Sequence, residues 1–362
     1  DSLGGYCFMD ERFEHPLETP RHIVRSGVTD RVFSPRSTVL EINSKSGLYP
    51  LYAAYSIYRA RLDEEWCKHN AIAPDRAKVL WEQTLKENIF VVCKTPMAVA
   101  ITKRTLCGFN TAQVNAQYYP DLIQCITHSS QDVVSNLRDA KGFWGLNDKK
   151  EMKIDAIIGN PPYQVVVAQK ETANGQKRSS SVFQYFQELS DQLQPRYSSL
   201  IYPAVRWIHR SGKGMFNFGL KQINDPHLAR LHFYPNSNEV FREVDITDGL
   251  AVVFKDREKN AMGFDYLYTQ NGVTRSVRAQ APGEDMFVLD PEAATIGENI
   301  RRITAQRFAF LHDAVLSQKL FSIESDFVER NPDQVRPYEE GDVLAADEIK
   351  LLTNDKAGSG GR

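Results

Sequence analysis

Short apolar runs alternate with stretches of helical periodicity, and this alternation constrains the fold more than any other feature. Thr38-Val-Leu-Glu-Ile42 reads as a buried strand, Asn43 to Gly47 as a turn, and Leu48 to Leu62 as a helix. Ile89-Phe-Val-Val-Cys93 is a second strand. A helix from Pro96 to Leu106 follows, since proline is tolerated in a first helical turn and Gly108 can close the last one. Leu122 to Ile126 reads as a third strand and Ile154 to Ile158 as a fourth. Ser181 to Leu193 has an apolar helical face of Val182, Phe183, Phe186 and Leu189. Ser199–Tyr202, Leu228–Tyr234 and Gly249–Lys255 read as further strands. The expectation is an α/β fold: a mostly parallel sheet with helices on both faces.

A chain of 362 residues can bury about three quarters of its extended surface, so a sizeable core is feasible. The 44 basic and 46 acidic side chains give a formal charge of −2, which excludes a polyanion-coating protein but leaves room for a local basic groove. Cys7, Cys67, Cys93, Cys107 and Cys125 have no zinc-like spacing and read as reduced, cytoplasmic thiols. No metal site is evident among the eight histidines. No apolar run is long enough for a membrane helix. Residues 322–342 carry seven acids and two arginines and read as a solvated linker.

The sharpest local feature is Asp155-Ala-Ile-Ile-Gly-Asn160-Pro161-Pro162-Tyr163. An apolar run ends at a glycine, and two prolines then stiffen the loop by fixing their own φ and restricting the residue before each. Asn160 and Tyr163 are thereby held in defined directions at the carboxyl end of a strand, where open α/β sheets bind ligands. Such a tetrad suits methyl transfer to an exocyclic amino group. The Asn160 side-chain oxygen and the Pro161 carbonyl can accept the two hydrogens of an adenine N6, favouring the positive nitrogen that develops during attack. Tyr163 can stack on the extruded base.

With these residues in place, the chain from about Glu14 to Asp256 resembles the adenine-N6 DNA methyltransferases, specifically the Eco57I-type restriction–modification methylases. The tetrad also occurs in glutamine protein methyltransferases, so by itself it specifies a planar amide-like nitrogen better than it specifies DNA. The resemblance implies a Rossmann-like domain that uses S-adenosylmethionine to methylate an adenine flipped out of double-stranded DNA, with Asn160, Pro161, Pro162 and Tyr163 as the catalytic motif. It places Glu41 at the acid of the first cofactor motif and Gly47 at its last glycine, with Lys45 where a glycine is usual and Asn43 or Ser46 supplying polar contacts. Cys93 falls where relatives place a ribose-binding acid, and a thiol is a weak acceptor. Asp132 is the candidate for the acid that meets the cofactor adenine, with Asp121 as the alternative. Thr19, Pro20 and Thr29 are placed in a cofactor-proximal segment, with Phe33 beside the methionine portion.

Arg206, Trp207, Arg210 and Lys213, with Lys221 beyond, form a basic run without an acid, placed by the resemblance beside the target base for phosphate contacts. The implied organisation is an N-terminal cofactor-proximal segment at 1–34 and a catalytic domain at 35–256. A helical and acidic extension at 257–362 would then lead to a truncated or absent target-recognition region. The chain is expected to be part of a larger restriction–modification or phage-defence polypeptide, with nuclease, helicase or recognition regions as partners. Lys45 and Cys93 keep a second reading open, that of a catalytically weak methyltransferase-like DNA-binding module. A protein or RNA methyltransferase is a third. The catalytic reading requires one geometric fact: the loop after Asp155–Ile158 must open onto the cavity that begins beside Glu41.

Overall fold

The computed structural model describes residues 2–10, 15–147, 151–166, 179–212, 214–242, 244–304 and short stretches between 332 and 345. The elements run in order from a hairpin of β1 (Gly5–Met9) and β2 (Pro16–Ile23) through α1 (Thr29–Val32), β3 (Val39–Ser44), α2 (Leu48–His69) and α3 (Pro74–Asn88). Then come β4 (Ile89–Cys93), α4 (Pro96–Cys107), β5 (Asn115–Tyr118), α5 (Leu122–His128), α6 (Ser130–Arg138), β6 (Ala156–Gly159), β7 (Gln164–Val166) and β8 (Ser179–Ser181). After α7 (Phe183–Leu193) follow β9 (Tyr197–Pro203), α8 (Val205–Ile208), α9 (Phe216–Ile223), β10 (Leu228–Tyr234) and β11 (Leu250–Asp256). The series ends with β12 (Phe264–Gln270), β13 (Val273–Ala279) and α10 (Pro291–Thr304).

Nine strands form one sheet in the order β13-β12-β10-β11-β9-β6-β3-β4-β5. The block β9-β6-β3-β4-β5 is parallel, while β11 runs antiparallel to both β9 and β10. From β3 the chain winds outward through β4 to β5, then returns to place β6 on the other side of β3. The boundary between β3 and β6 is therefore the topological switch point, where such sheets open a crevice at the carboxyl ends of their strands.

Strand alternation builds two core layers. Leu40, Ile42, Phe90, Val92 and Ile157 pack on one face against α5, α6 and α7, through Leu122, Ile126, Val133, Leu137, Phe186 and Leu189. Val39, Val91, Cys93, Ala156 and Ile158 pack on the other against Ala53, Ala54 and Ile57 of α2, Leu85 of α3 and Leu106 of α4. The sheet is thus mostly parallel and Rossmann-like, covered by helices on both faces.

Three expectations need correction. Leu122–Ile126 is helix, because Leu122 and Ile126 point one turn apart into the core while Asp121 begins the turn with φ 47°. The third strand is Asn115–Tyr118, whose polar start hides it: the buried Asn115 amide donates to the carbonyls of Lys86 and Ile89. The sheet also continues past Asp256, since β12 pairs parallel with β10 and β13 closes that edge. Residues before 35 share the second core layer through Leu3, Val32 and Phe33.

The chain divides into two compact units, Asp1–Ala294 and Thr295–Arg362. In the second, α10 ends at Thr304, and Arg336 pairs with Asp342 at 3.0 Å. The rest of the expected helical extension up to residue 331 and most of the acidic segment lie outside the described residues. No helix among the described residues is long and apolar enough to cross a membrane.

Candidate active site

Parallel pairing of β3 with β6 sets Glu41 opposite Ile158 and thereby brings the two strand ends together. Past Ile158 the backbone turns at Gly159, where a Cβ would lie 3.5 Å from Glu41 Cγ. The Asn160-Pro161-Pro162-Tyr163 loop therefore opens beside Glu41, as the catalytic reading requires.

Glu41 is 5% exposed. Burial raises its carboxyl to about 7, while a hydrogen bond with the Ser44 side chain pulls the other way. Its Oε2 is buried without a hydrogen-bond partner. Two residues further on, Asn43 takes a left-handed φ of 71° at a register shift between β3 and β4. That bulge points the strand end into the crevice. Ser44 Oγ accepts from the Gly47 amide at 3.1 Å, closing the turn into α2. Gly47 has φ 76°, and a Cβ there would meet the Thr102 backbone at 3.1 Å. Its role is therefore close packing of the turn on α4.

Tyr49, in the first turn of α2, joins the same cluster. Its hydroxyl is pushed up to about 12, first by burial and then by the neighbouring Glu41 charge, and Asn160 partly offsets this. Burial also raises the Tyr163 hydroxyl, again with Asn160 pulling it down. Asn160 thus approaches two phenols. At Tyr163 the approach falls short of a full hydrogen bond, leaving a buried Oη without a partner. The Tyr163 carbonyl accepts from the Val182 amide at 3.1 Å, anchoring the loop to the start of α7. Beyond Tyr163 the chain enters β7, which pairs antiparallel with β8.

A cavity of about 270 Å³ lies at these strand ends, lined by Asn43, Ser44, Lys45, Lys94, Thr95, Ala98, Ile123, Pro162, Gln164 and Val165. Of the tetrad Pro162 lines this cavity, together with Asn43 to Lys45 from the end of β3 and the turn after it. Ser44, Tyr49 and Thr95 were not singled out from sequence. The available signal was their position, one or two residues beyond a strand end or turn.

Other expected site residues lie elsewhere. Cys93 is fully buried in the second core layer, with Sγ 3.7 Å from Thr102 Oγ1 and its thiol pushed up to about 11 by burial. It cannot present an acceptor to the cavity; the adjacent Lys94 lines it instead. Ser46 is exposed, and its carbonyl accepts from the Thr105 hydroxyl at 2.6 Å. Asp132 is exposed in the first turn of α6 and does not line the cavity. Thr19 and Pro20 lie on β2, in the separate two-stranded sheet. Thr29 is buried, donating to the Leu3 carbonyl at 2.9 Å and accepting from the Arg25 amide at 2.7 Å, so its hydroxyl is spent on the N-terminal segment. Phe33 packs edge-on against Tyr52 at 5.6 Å.

The basic run is also divided. Trp207 is fully buried in the first core layer and offers no surface to DNA; its place in the sequence beside arginines reflects one buried turn of α8. Arg206 is exposed and pairs with Asp248 at 2.9 Å. The Arg210 guanidinium donates to the carbonyls of Glu284 and Asp285 at 2.6 and 2.7 Å. Lys213 lies outside the described residues.

Residues 87–241 match the family model of the Eco57I restriction-modification methylase, a span that contains the tetrad but not Glu41. A curated relative, an uncharacterized adenine-specific methylase of Mycoplasma pneumoniae, is 30% identical over 100 residues, covering 28% of this chain. The match spans 23% of that relative's length. Among solved structures, a modification subunit of a putative type I restriction enzyme from Vibrio vulnificus is 12% identical at a TM-score of 0.41, over 76% of this chain and 49% of the other. The type IIL restriction-modification enzyme MmeI is 10% identical at a TM-score of 0.43, over 70% of this chain and 36% of the other. The family model thus points to restriction-modification methylases and the curated relative to adenine-specific ones.

Proposed function

We propose that this chain carries the catalytic region of an S-adenosylmethionine-dependent adenine-N6 DNA methyltransferase of a restriction–modification or phage-defence system. The observation that carries this reading is the position of Asn160–Tyr163 at the switch point, beside the buried Glu41 carboxylate. The orphaned Glu41 oxygen fits the cationic, amino-acid half of the methyl donor, with Asn43 and Ser44 as neighbouring polar groups. When bound, that donor supplies an electrophilic sulfonium methyl.

The chain's own residues supply the rest. The Asn160 Oδ1 and Pro161 carbonyl accept the two N6 hydrogens and stabilise the charge that builds on nitrogen, an effect of preorganised dipoles. No base is needed before attack, because the proton leaves after the charge has formed. Tyr163 presents a half-buried ring for stacking, and the two prolines keep ring and amide in register. Target recognition, nuclease and helicase functions belong to other regions of the same system, and double-stranded DNA is the substrate.

The test is transfer of tritiated methyl from S-adenosylmethionine to adenine in mixed-sequence duplex DNA. Label in adenine above that of Asn160→Ala supports the reading, and equal label in the two proteins ends it. A weak or silent methyltransferase-like DNA-binding module is the second reading, favoured by the burial of Cys93 and by Lys45 in the cavity wall. Calorimetry with S-adenosylmethionine separates them: the silent module gives no heat of binding.

A further inference from the structure

A second cavity, of about 560 Å³, lies away from the tetrad, at the amino end of β9. α7 runs between the two sites: Val182, just before its first turn, donates to the Tyr163 carbonyl, and its last turn borders this cavity. Ser198 of β9, Lys255 near the end of β11 and the loop after α9 supply the other walls. The size is that of a small-molecule pocket. Of its lining residues only Pro195 and Pro226 are purely apolar, so the walls offer little to a flat hydrophobic ligand.

Part of this polar wall is already spent. Lys255 Nζ reaches both oxygens of Asp191, Gln187 adds a donor to Oδ1 and Gln222 adds one to Oδ2. A carboxylate has about four acceptor sites, so Asp191 is full. Asp225 takes only Lys255 Nζ on Oδ2 at 2.7 Å and the His227 amide on Oδ1 at 2.9 Å, which leaves it acceptor sites to spare. Arg257 donates to the Gln194 carbonyl at 2.8 Å and to its Oε1 at 3.1 Å, makes no ion pair among the described residues, and keeps further N–H groups. Ser190 is 1% exposed, and its hydroxyl has no partner, not even the carbonyl one turn back that a helical serine can take. The same contacts hold these groups around one turn of α7. The Gln194 amide donates to the Ser190 carbonyl at 3.2 Å, Arg257 grips Gln194, and Lys255 joins Asp225 to Asp191 beside Ser190.

Spare acceptors, a guanidinium without a counter-ion and an unpartnered buried hydroxyl fit a ligand that carries both hydroxyls and an oxyanion. We propose that this cavity is a second ligand site, and that it takes a small polyhydroxylated oxyanion, a sugar phosphate or a sugar acid. Arg257 holds the oxyanion, because a planar guanidinium pairs with phosphate or carboxylate through parallel N–H bonds. Ser190 donates to an oxygen of the ligand, and Asp225 accepts its hydroxyls. Lys255, held between the two carboxylates, offsets part of their charge and keeps them from repelling the anion as free carboxylates would. The site does not depend on the methyl-transfer reading, because it shares no residue with the tetrad or with the cavity beside it.

Calorimetric titration of the full chain with ribose 5-phosphate, gluconate and ribose tests it. At least one of the two anions should bind, and the tighter of them names the oxyanion. Ribose should bind about ten-fold more weakly, since that is the cost of losing a charge-assisted pair, and anion binding should fall as salt rises. Arg257→Gln should weaken the anion by about ten-fold and leave ribose unchanged. Ser190→Ala should weaken the anion by about five-fold without lowering the melting temperature, because the hydroxyl it removes has no partner in the free protein. A variant at Ser190 that shifts the melting temperature and keeps full affinity would overturn the site. So would failure of both anions to bind, or equal affinity for ribose. Asn160→Ala should bind the anion as the parent chain does, so loss of methyl transfer leaves this inference standing, and absence of anion binding leaves the proposed function standing.

Discussion

At the residue scale, the site is built from polar groups that the fold leaves unsatisfied. Glu41 holds its proton up to about 7, against an ordinary 4.5. Between those values the unfolded chain gives up a proton that the folded chain keeps, so stability falls as pH rises through this window. The full penalty, about 3 kcal/mol, is present above pH 7. Urea denaturation at pH 5 and pH 8 should show this slope, and Glu41→Gln should flatten it and be the more stable protein at pH 8. The same ionisation makes binding of a cationic ligand tighter above pH 7, which calorimetry against pH would follow. Asn160→Ala should lower methyl transfer about 10²- to 10³-fold by removing one acceptor at the developing charge, without lowering affinity for the methyl donor. A comparable fall in both quantities would mean that Asn160 holds the loop and not the nitrogen.

At the element scale, a buried ionic cluster ties α7, β11 and the loop after α9. Lys255 Nζ donates to Asp191 at 2.8 Å and to Asp225 at 2.7 Å, while Gln187 and Gln222 each donate an amide N–H to Asp191. The Gln187 carbonyl accepts from the fully buried Tyr202 hydroxyl, and Tyr202 stacks on Phe183 at 4.9 Å, at the start of the helix that anchors the Tyr163 loop. Removing the cation leaves two half-buried carboxylates that both lose their ion-pair partner. Lys255→Met should therefore destabilise the protein by about 3–5 kcal/mol in urea denaturation. A second expectation concerns the turn into α2: Gly47→Ala combines a left-handed φ with a close backbone approach, and should cost about 1–3 kcal/mol. A change below a few tenths would show that α4 can move away.

At the scale of the whole molecule, the sheet extends beyond Asp256. β12 covers the edge of β10, and β13 in turn covers β12. A chain ending at residue 256 would bare the apolar β10 edge, so it should aggregate. One ending at residue 294, the limit of the first compact unit, should unfold cooperatively with a melting temperature close to that of the full chain. Light scattering and calorimetry on the two fragments would check both outcomes. The alternation of strand and helix was legible because each buried strand is a short apolar run. β5 and β13 were not, because a polar edge strand has no such run, and α5 was misread because its apolar residues recur at a spacing that a five-residue window cannot distinguish from a strand.

The sequence by itself determined the parallel sheet, the turn after β3 and the stiff Asn160–Tyr163 loop, since apolar periodicity, proline and glycine act on near neighbours in the chain. Only the tertiary structure decided that β6 returns beside β3, so that Glu41 and Asn160 share a crevice although 119 positions separate them. It also decided that Cys93, Thr29 and Trp207 face inward while Lys45 and Lys94 face the cavity. The direction of a side chain depends on which layer packs against its strand or turn, and that packing partner comes from distant parts of the chain.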